Sequence, residues 1–230
     1  AVVNELPGVA EEHDLTLRAA RLLKQATACP LGVDIRLEKR LPMGGGLGGG
    51  SSDAATVLMA LNRLWGLAMT RADLQAIGLE LGADVPVFVF GQSALAEGVG
   101  ECLRPVSPPP ASYVVLIPPV EVSTASVFTH PGLTRDTPRI KITALPESGP
   151  EAGFGHNDLQ PVVVALYPEV AECLNWLKQH GEARMTGSGA CVFAGFVDRS
   201  AADAVFALKP AHWKGFVADG LDRHPLYGTI

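Results

Sequence analysis

The residues best equipped for chemistry lie in one run, Gly44-Gly45-Gly46-Leu47-Gly48-Gly49-Gly50-Ser51-Ser52-Asp53. Without a Cβ, a glycine lets its backbone N–H turn inward and approach an anion closely. The segment that follows, 54–65, is apolar on almost every side and predicts a helix through the middle of a core. A helix beginning near Ser51 adds the positive end of its macrodipole at the same place. Ser51 and Ser52 are then either caps of that helix or hydroxyls for a phosphate or a magnesium ion. The chemistry indicated is the holding of a polyphosphate.

Other readings of the run compete. The Walker A pattern ends in Gly-Lys-Ser/Thr, and no lysine occurs between Arg40 and the end of this loop. Gly44-x-Gly46-x-x-Gly49 satisfies the dinucleotide fingerprint literally, but Pro42 interrupts the junction and Arg63 stands near where the ribose-binding acid belongs. A protein-kinase glycine loop needs a downstream strand lysine and an HRD-like segment, and both are missing. A mobile linker is usually rich in Ser and charge and does not lead into a strongly apolar helix. Each glycine held in place costs entropy, so a rigid loop of this composition needs a compensating reason.

The elements around the loop follow from periodicity and punctuation. Leu15, Ala19, Leu22, Leu23 and Ala26 predict a helix over 14–26, stopped by Pro30 and Gly32. Val33, Ile35 and Leu37 alternate with Asp34, Arg36 and Glu38, which predicts a strand with one wet face. Gly66 ends the central helix. Thr70 with Asp73 forms a capping-box-like start for a helix carrying Leu74, Ile77 and Leu81, with Gly82 as its stop. Asp84-Val85-Pro86-Val87-Phe88-Val89-Phe90 reads as a strand by composition and as a capped helical turn by the place of Pro86. Short β-like runs at 94–96 and 113–117 are divided by Gly98, Gly100 and Pro108-Pro109-Pro110. The Pro-, Gly- and Thr-rich stretch 135–155 reads as loop and linker. Beyond it come a helix at 168–180, a strand at 183–186, a turn at Gly187-Ser188-Gly189, a strand at 191–196, a helix at 201–208 and a strand at 216–218. Helices alternating with paired strands predict a compact α+β sandwich as the second unit.

Bulk composition bounds the function. The 230 residues are 47% hydrophobic and 18% charged, a folded globular composition. A formal net charge of −6 excludes a general nucleic-acid binder. An acidic protein that holds phosphates must create positive potential locally, from amides, helix ends and a metal ion. Cys29, Cys102, Cys173 and Cys191 match no CxxC or zinc spacing and read as reduced, buried small hydrophobes. No apolar stretch reaches the length of a membrane span, so no membrane partner is expected. His130, His156, His180, His212 and His224 form no triad or metal spacing, and Asn157-Asp158 after His156 reads as a functional pair or, more simply, as a loop turn. The sequence starts at Ala1 with no signal-like segment, and a cytoplasmic protein whose true N-terminus lies upstream is expected.

Taken with its flanks, the run Pro42-Met43-Gly44 through Asp53-Ala54-Ala55 resembles the phosphate-binding motif of the GHMP kinases, the galactokinase, homoserine kinase, mevalonate kinase and phosphomevalonate kinase type. In its extended Ser-Ser-Asp-Ala-Ala form it resembles the branch whose substrate is 4-diphosphocytidyl-2-C-methyl-D-erythritol. Leu81-Gly82-Ala83-Asp84-Val85-Pro86-Val87-Phe88 resembles the segment that supplies that family's catalytic aspartate. Ala96-Glu97-Gly98-Val99-Gly100-Glu101 resembles its following hairpin, and Arg184-Met185-Thr186-Gly187-Ser188-Gly189-Ala190-Cys191 its C-terminal glycine motif. The order and spacing hold from about Leu15 to the end.

The resemblance implies an α+β, two-domain fold, with a ribosomal-S5-like nucleotide-binding half over 1–120 and a ferredoxin-like substrate half over 121–230. It places the active site in the cleft between them. It implies ATP-dependent phosphorylation of a hydroxyl of a cytidine diphosphate sugar alcohol, in the non-mevalonate route to isoprenoid precursors, with ATP and Mg2+ as cofactors. Gly44, Gly45, Gly46, Leu47, Gly48, Gly49, Gly50, Ser51 and Ser52 would hold ATP. Lys39 would wall the adenine pocket; by itself it reads as a solvated cation at a strand end. Asp84 would receive the proton of the substrate hydroxyl, a role worth about 10²–10⁴-fold in rate; by itself it reads as a helix cap. Thr124 and Phe128 would contact the cytidine, although Phe128 reads equally as core packing. Gly187, Ser188 and Gly189 would close the site, or form a plain hairpin turn. The family's N-terminal segment should supply a lysine, an asparagine and an aromatic–histidine pair. Residues 1–14 do not resemble it, and Asp14 stands where Asn is usual; a chain without that segment is expected to be weak or inactive. Another GHMP kinase of homoserine or mevalonate type, or an inert nucleotide-binding member, are the alternatives. Metal ligands and oligomeric state are left open.

Overall fold

The computed structural model describes residues 9–138, 155–225 and 227–229. Helix α1, Leu15–Thr27, starts where Asp14 accepts hydrogen bonds from the Thr16 and Leu17 amides and the Thr16 hydroxyl. Its buried face is Leu17, Ala19, Ala20 and Leu23. The chain then runs extended through 31–40, with Val33, Ile35 and Leu37 turned inward and Asp34, Arg36 and Glu38 exposed. The predicted alternation holds, but within 31–40 only Ile35 is a bridge residue, so this segment is not a regular strand.

Helix α2, Gly49–Leu64, carries Ala54, Ala55, Leu58, Met59 and Leu61 into the core. Asn62 is buried with them, and its side-chain amide exchanges two 3.0 Å hydrogen bonds with the backbone of Met69, which ties down the connection to the next helix. That helix, α3 (Arg71–Leu81), opens with a complete capping box between Thr70 and Asp73. Gly82 follows it in extended backbone rather than the left-handed cap expected of glycine. Val85–Phe90 is helix α4, which settles the ambiguity of that apolar segment; Pro86 in its first turn needs no N–H partner. Strands β1 (Ala94–Glu97) and β2 (Cys102–Pro105) close an antiparallel hairpin.

Four further strands make one antiparallel sheet in the order β4-β5-β3-β6, where β3 is Ser112–Ile117, β4 Ala183–Met185, β5 Val192–Phe196 and β6 Lys214–Asp219. Helices α5 (Thr124–Thr129), α6 (Gln160–Leu166) and α7 (Pro168–Leu177) lie in the chain between β3 and β4, and α8 (Arg199–Ala207) between β5 and β6. That is the expected ferredoxin-like β-α-β-β-α-β order, with the short α5 and α6 added between β3 and β4. Val114, Leu116, Val163, Val170, Leu174, Leu177 and Val192 form its core.

Contacts group Ala1–Arg40, Gly48–Val106 and Asp222–Ile230 into one compact unit, and Leu41–Leu47 with Ser107–Leu221 into the other. The change of unit falls ahead of residue 120 because β3 belongs to the second unit's sheet. The predicted loop at 135–155 falls mostly outside the described residues. Cys29, Cys173 and Cys191 are buried as expected, but Cys102 is exposed at the start of β2. Burial pushes the Cys173 thiol up to about 12 and that of Cys191 to about 11, so both stay protonated at neutral pH. No helix among the described residues is long and apolar enough to cross a membrane.

The capping box gives a direct test. Thr70→Ala removes the acceptor of the Asp73 amide and should cost about 1 kcal/mol, lowering the melting midpoint by roughly 2–4 °C. Hydrogen bonds from the side chain and backbone of Thr70 hold the Asp73 carboxyl below its ordinary 3.8. A depressed carboxylate contributes its stability above the unfolded value and loses it as the pH falls through the folded one. The gap between wild type and Thr70→Ala should therefore narrow below pH 3.8. Calorimetry across pH 3–7 checks both effects.

Candidate active site

The glycine loop is built by committing its carbonyls. Gly45 O accepts from the Cys191 amide at 3.1 Å, Gly46 O from the Thr186 hydroxyl at 2.7 Å, and Gly48 O from the Ser52 amide at 2.9 Å. A trans peptide points its C=O and the following N–H in opposite directions. Tying down those carbonyls therefore turns the amides of Gly46, Leu47 and Gly49 the other way. Among the described residues, no N–H from Gly44 to Ser51 donates to a protein acceptor. Gly44, Gly46 and Gly48 have φ of 67°, 70° and 67°, the left-handed backbone that alternates in an anion-binding nest.

Two of these glycines are also fixed by close approach. A Cβ at Gly46 would sit 2.2 Å from Thr186 O, and one at Gly48 would sit 2.8 Å from the ring of Phe88 on α4. Gly48 is the N-cap of α2 and supplies no side-chain acceptor, so the first amides of a sixteen-residue helix stay open. The serines do not cap. Ser51 and Ser52 lie inside the first turn, half-buried, and their hydroxyls have no hydrogen-bond partner among the described residues.

Lys39 is neither solvated nor free. It forms an ion pair with Asp53 of α2, and both side chains are only about a quarter exposed (25% and 29%). Beside that pair is a mainly apolar cavity of about 270 Å³, lined by Val33, Ile35, Leu37, Asp53, Val57 and Leu61. Lys39 borders it only through Asp53.

Asp84 sits at the N-cap position of α4, yet its carboxylate makes no capping bond. It is exposed and has no partner among the described residues, which removes the cap as an explanation. The turn that carries it is held from behind: a Cβ on Gly100, in the β1–β2 hairpin, would lie 2.3 Å from Ala83 O. The Glu101 carboxylate closes that hairpin by accepting from the Val99 amide at 2.7 Å, and backbone hydrogen bonds, its own first, hold its pKa low.

In the second unit the hydroxyls of Thr124, at the start of α5, and Ser188 meet at 2.7 Å. Phe128 on α5 is 54% exposed, so core packing does not account for it. The Arg135 guanidinium donates to the Phe128 carbonyl at 2.7 Å and braces the end of that helix. Gly187 and Gly189 turn β4 into β5 with φ of 53° and 87°, and Gly189 N donates to Thr186 O at 2.9 Å. The Gly187-Ser188-Gly189 turn is thus a real hairpin turn, and Thr186, in front of it, is bonded to Gly46.

Sequence reasoning gave no role to Asp53, Thr186 or Asn157. Asp53 stood within the glycine run and Thr186 directly before a glycine turn, so both were visible without a function. Asn157 carried no local sign beyond its turn-like neighbours.

The GHMP kinases N terminal domain matches residues 14–92, and the GHMP kinases C terminal domain matches residues 142–213. The 4-diphosphocytidyl-2-C-methyl-D-erythritol kinase of Thiobacillus denitrificans is 64% identical over 98% of this chain and 79% of that protein. The same-named protein of Azoarcus is 56% identical over 99% of this chain and 79% of its own length. A crystal structure of 4-(cytidine 5'-diphospho)-2C-methyl-D-erythritol kinase superposes with a TM-score of 0.75 at 34% identity, covering 95% of this chain and 81% of that one. Homoserine kinase from Cytophaga hutchinsonii superposes with a TM-score of 0.70 at 20% identity and shares the fold. Open amides at the head of α2, an Asp84 with no partner among the described residues and relatives this similar over nearly the whole chain agree: it belongs to the 4-diphosphocytidyl-2-C-methyl-D-erythritol kinase family of the GHMP kinases.

Proposed function

We propose that the chain moves the γ-phosphoryl group of ATP to a hydroxyl of 4-diphosphocytidyl-2-C-methyl-D-erythritol. The observation that carries this reading is the run of amides from Gly44 to Ser51 with no acceptor among the described residues, which is free to donate to an anion. ATP's phosphates accept from these amides and meet the positive end of the α2 dipole. The loop is already ordered by its carbonyl bonds, so little reorganisation remains when charge shifts in the transition state.

The acceptor hydroxyl attacks the γ phosphorus while the bond to the β–γ bridging oxygen breaks and ADP leaves. Asp84, open and unpaired, orients that hydroxyl and takes its proton as the new O–P bond forms. Magnesium fits the oxygen donors present. The free hydroxyl of Ser51 or Ser52, together with the nucleotide's own phosphates, would hold it, and when bound it neutralises phosphate charge. Thr124 and Ser188 are hydroxyl contacts for the cytidine end of the acceptor, and the exposed ring of Phe128 offers a face on which the base stacks. The homoserine and mevalonate alternatives have no specific observation in their favour, since those likenesses are of fold alone.

An ADP-release assay over a panel of alcohols, run on protein that carries the N-terminal segment of the family, tests the reading: the cytidine diphosphate sugar alcohol should be turned over and homoserine and mevalonate should not. Turnover of either of those instead would reassign the acceptor. Asp84→Asn should lower kcat by about 10²–10⁴-fold while calorimetry shows an ATP analogue still binding; undiminished turnover removes Asp84 from the chemistry. Phe128→Ala should raise KM for the acceptor roughly 5- to 150-fold, the loss of one base stack, with KM for ATP unchanged. An equal rise in both would mean the ring has a structural task.

A further inference from the structure

Asn157 takes no part in the phosphoryl transfer, yet its side chain is fully engaged. Its Nδ2 donates to Met185 O at 3.1 Å and to Gly187 O at 2.7 Å, and its Oδ1 accepts from the Leu159 amide at 3.0 Å. One amide thus grips the two carbonyls on either side of Thr186. Gln160 adds a bond from the Met185 amide to its Oε1 at 2.8 Å. Thr186 is secured further by its own amide, which donates to Cys191 O at 3.0 Å. From this fixed position the Thr186 hydroxyl reaches Gly46 O at 2.7 Å, across 140 residues of chain.

The consequence follows from peptide geometry. Gly46 C=O and Leu47 N–H belong to one planar trans unit, so whatever fixes the carbonyl aims the amide. Gly46 has φ 70° and touches Thr186 O so closely that only glycine fits, which leaves the loop dependent on the position of residue 186. A glycine peptide without that anchor would sample several orientations. All of these residues lie within one compact unit.

We propose that Asn157 is a positioning residue for nucleotide binding, holding Thr186 so that its hydroxyl aims the Leu47 amide of the phosphate loop. The proposal rests on the reading of that loop as the ATP site. The same grip sets Ser188, whose hydroxyl meets Thr124, so the turn is shared with the acceptor side. Asn157→Asp keeps the shape but puts an acceptor where the two carbonyls need donors, and the turn must shift. Thr186→Val keeps the shape and removes the hydroxyl from Gly46, and Thr186→Ser keeps the hydroxyl.

The test measures backbone amide order by NMR in the ligand-free protein, then the affinity of an ATP analogue by calorimetry. Wild type should show rigid amides at Gly46 and Leu47, with order parameters of about 0.85, and Asn157→Asp and Thr186→Val should drop them below roughly 0.6. Both variants should weaken the analogue by about tenfold, and Thr186→Ser should recover most of that loss. The double variant should be no worse than the weaker single one, because both act through one hydrogen bond. Unchanged loop order and affinity in folded Asn157→Asp and Thr186→Val would overturn the proposal. If Asn157→Asp does not fold, Thr186→Val and Thr186→Ser decide it. Loosened amides in a protein whose wild type binds no analogue would uphold the brace and sink the kinase reading instead.

Discussion

The carbonyls of Gly45, Gly46 and Gly48 each have a partner inside the protein, while the amides from Gly44 to Ser51 have none among the described residues. Because a peptide's two polar groups face opposite ways, the tied carbonyls turn the amides of Gly46, Leu47 and Gly49 outward, and the head of α2 leaves its own first amides open. This gives a chain of net charge −6 a local means of attracting the anion proposed for the loop. Lys39 spends its charge on Asp53, so the attraction at the loop comes from oriented backbone dipoles and the head of α2. Such dipoles are fixed before any ligand arrives, which is the condition under which they contribute most to a transition state.

The surrounding elements keep that arrangement in place. Phe88 of α4 lies against Gly48, so the apolar helix that follows Asp84 also packs on the head of α2. Val85 approaches Gly78 of α3 closely enough that a Cβ there would stand 2.8 Å from its Cγ1, and α3 in turn is started by the Thr70–Asp73 box. In the ferredoxin-like unit, the register of β4 with β5, Met185 opposite Val192, fixes where Thr186 leaves the sheet. Cys191, buried and protonated, fills the space behind Gly45. Local packing of this kind sets positions to tenths of an ångström without any ligand.

What the sequence disclosed and what it hid divide along chain distance. Helix α1, the capping box, the ferredoxin-like strands and the inward-outward alternation at 33–38 rest on signals within a few residues, and all were legible. Asp14 looked like a departure from the family pattern, and in the fold it is the N-cap of α1. Val85–Phe90 is ambiguous in sequence, strand by composition and helical turn by the place of Pro86, while α5 and α6 carry no clear local sign; short helices are decided by tertiary packing more than by propensity. Local chemistry leaves the loop serines open between caps and phosphate or magnesium ligands; in the fold Gly48, before them, takes the cap position. Least visible were the pairings across many residues: Lys39 with Asp53, Asn157 with Gly187, Thr186 with Gly46. No periodicity encodes those.

The decisive measurement is an NMR titration of the uniformly 15N-labelled chain with a non-hydrolysable ATP analogue and magnesium, read residue by residue. Saturating shifts concentrated on the amides of Gly44 to Ser51, downfield as expected for new hydrogen bonds to phosphate, are the predicted result. Amides in that run that stay still while a different surface responds, or no response anywhere, would contradict the claim that this loop is built to hold an anion.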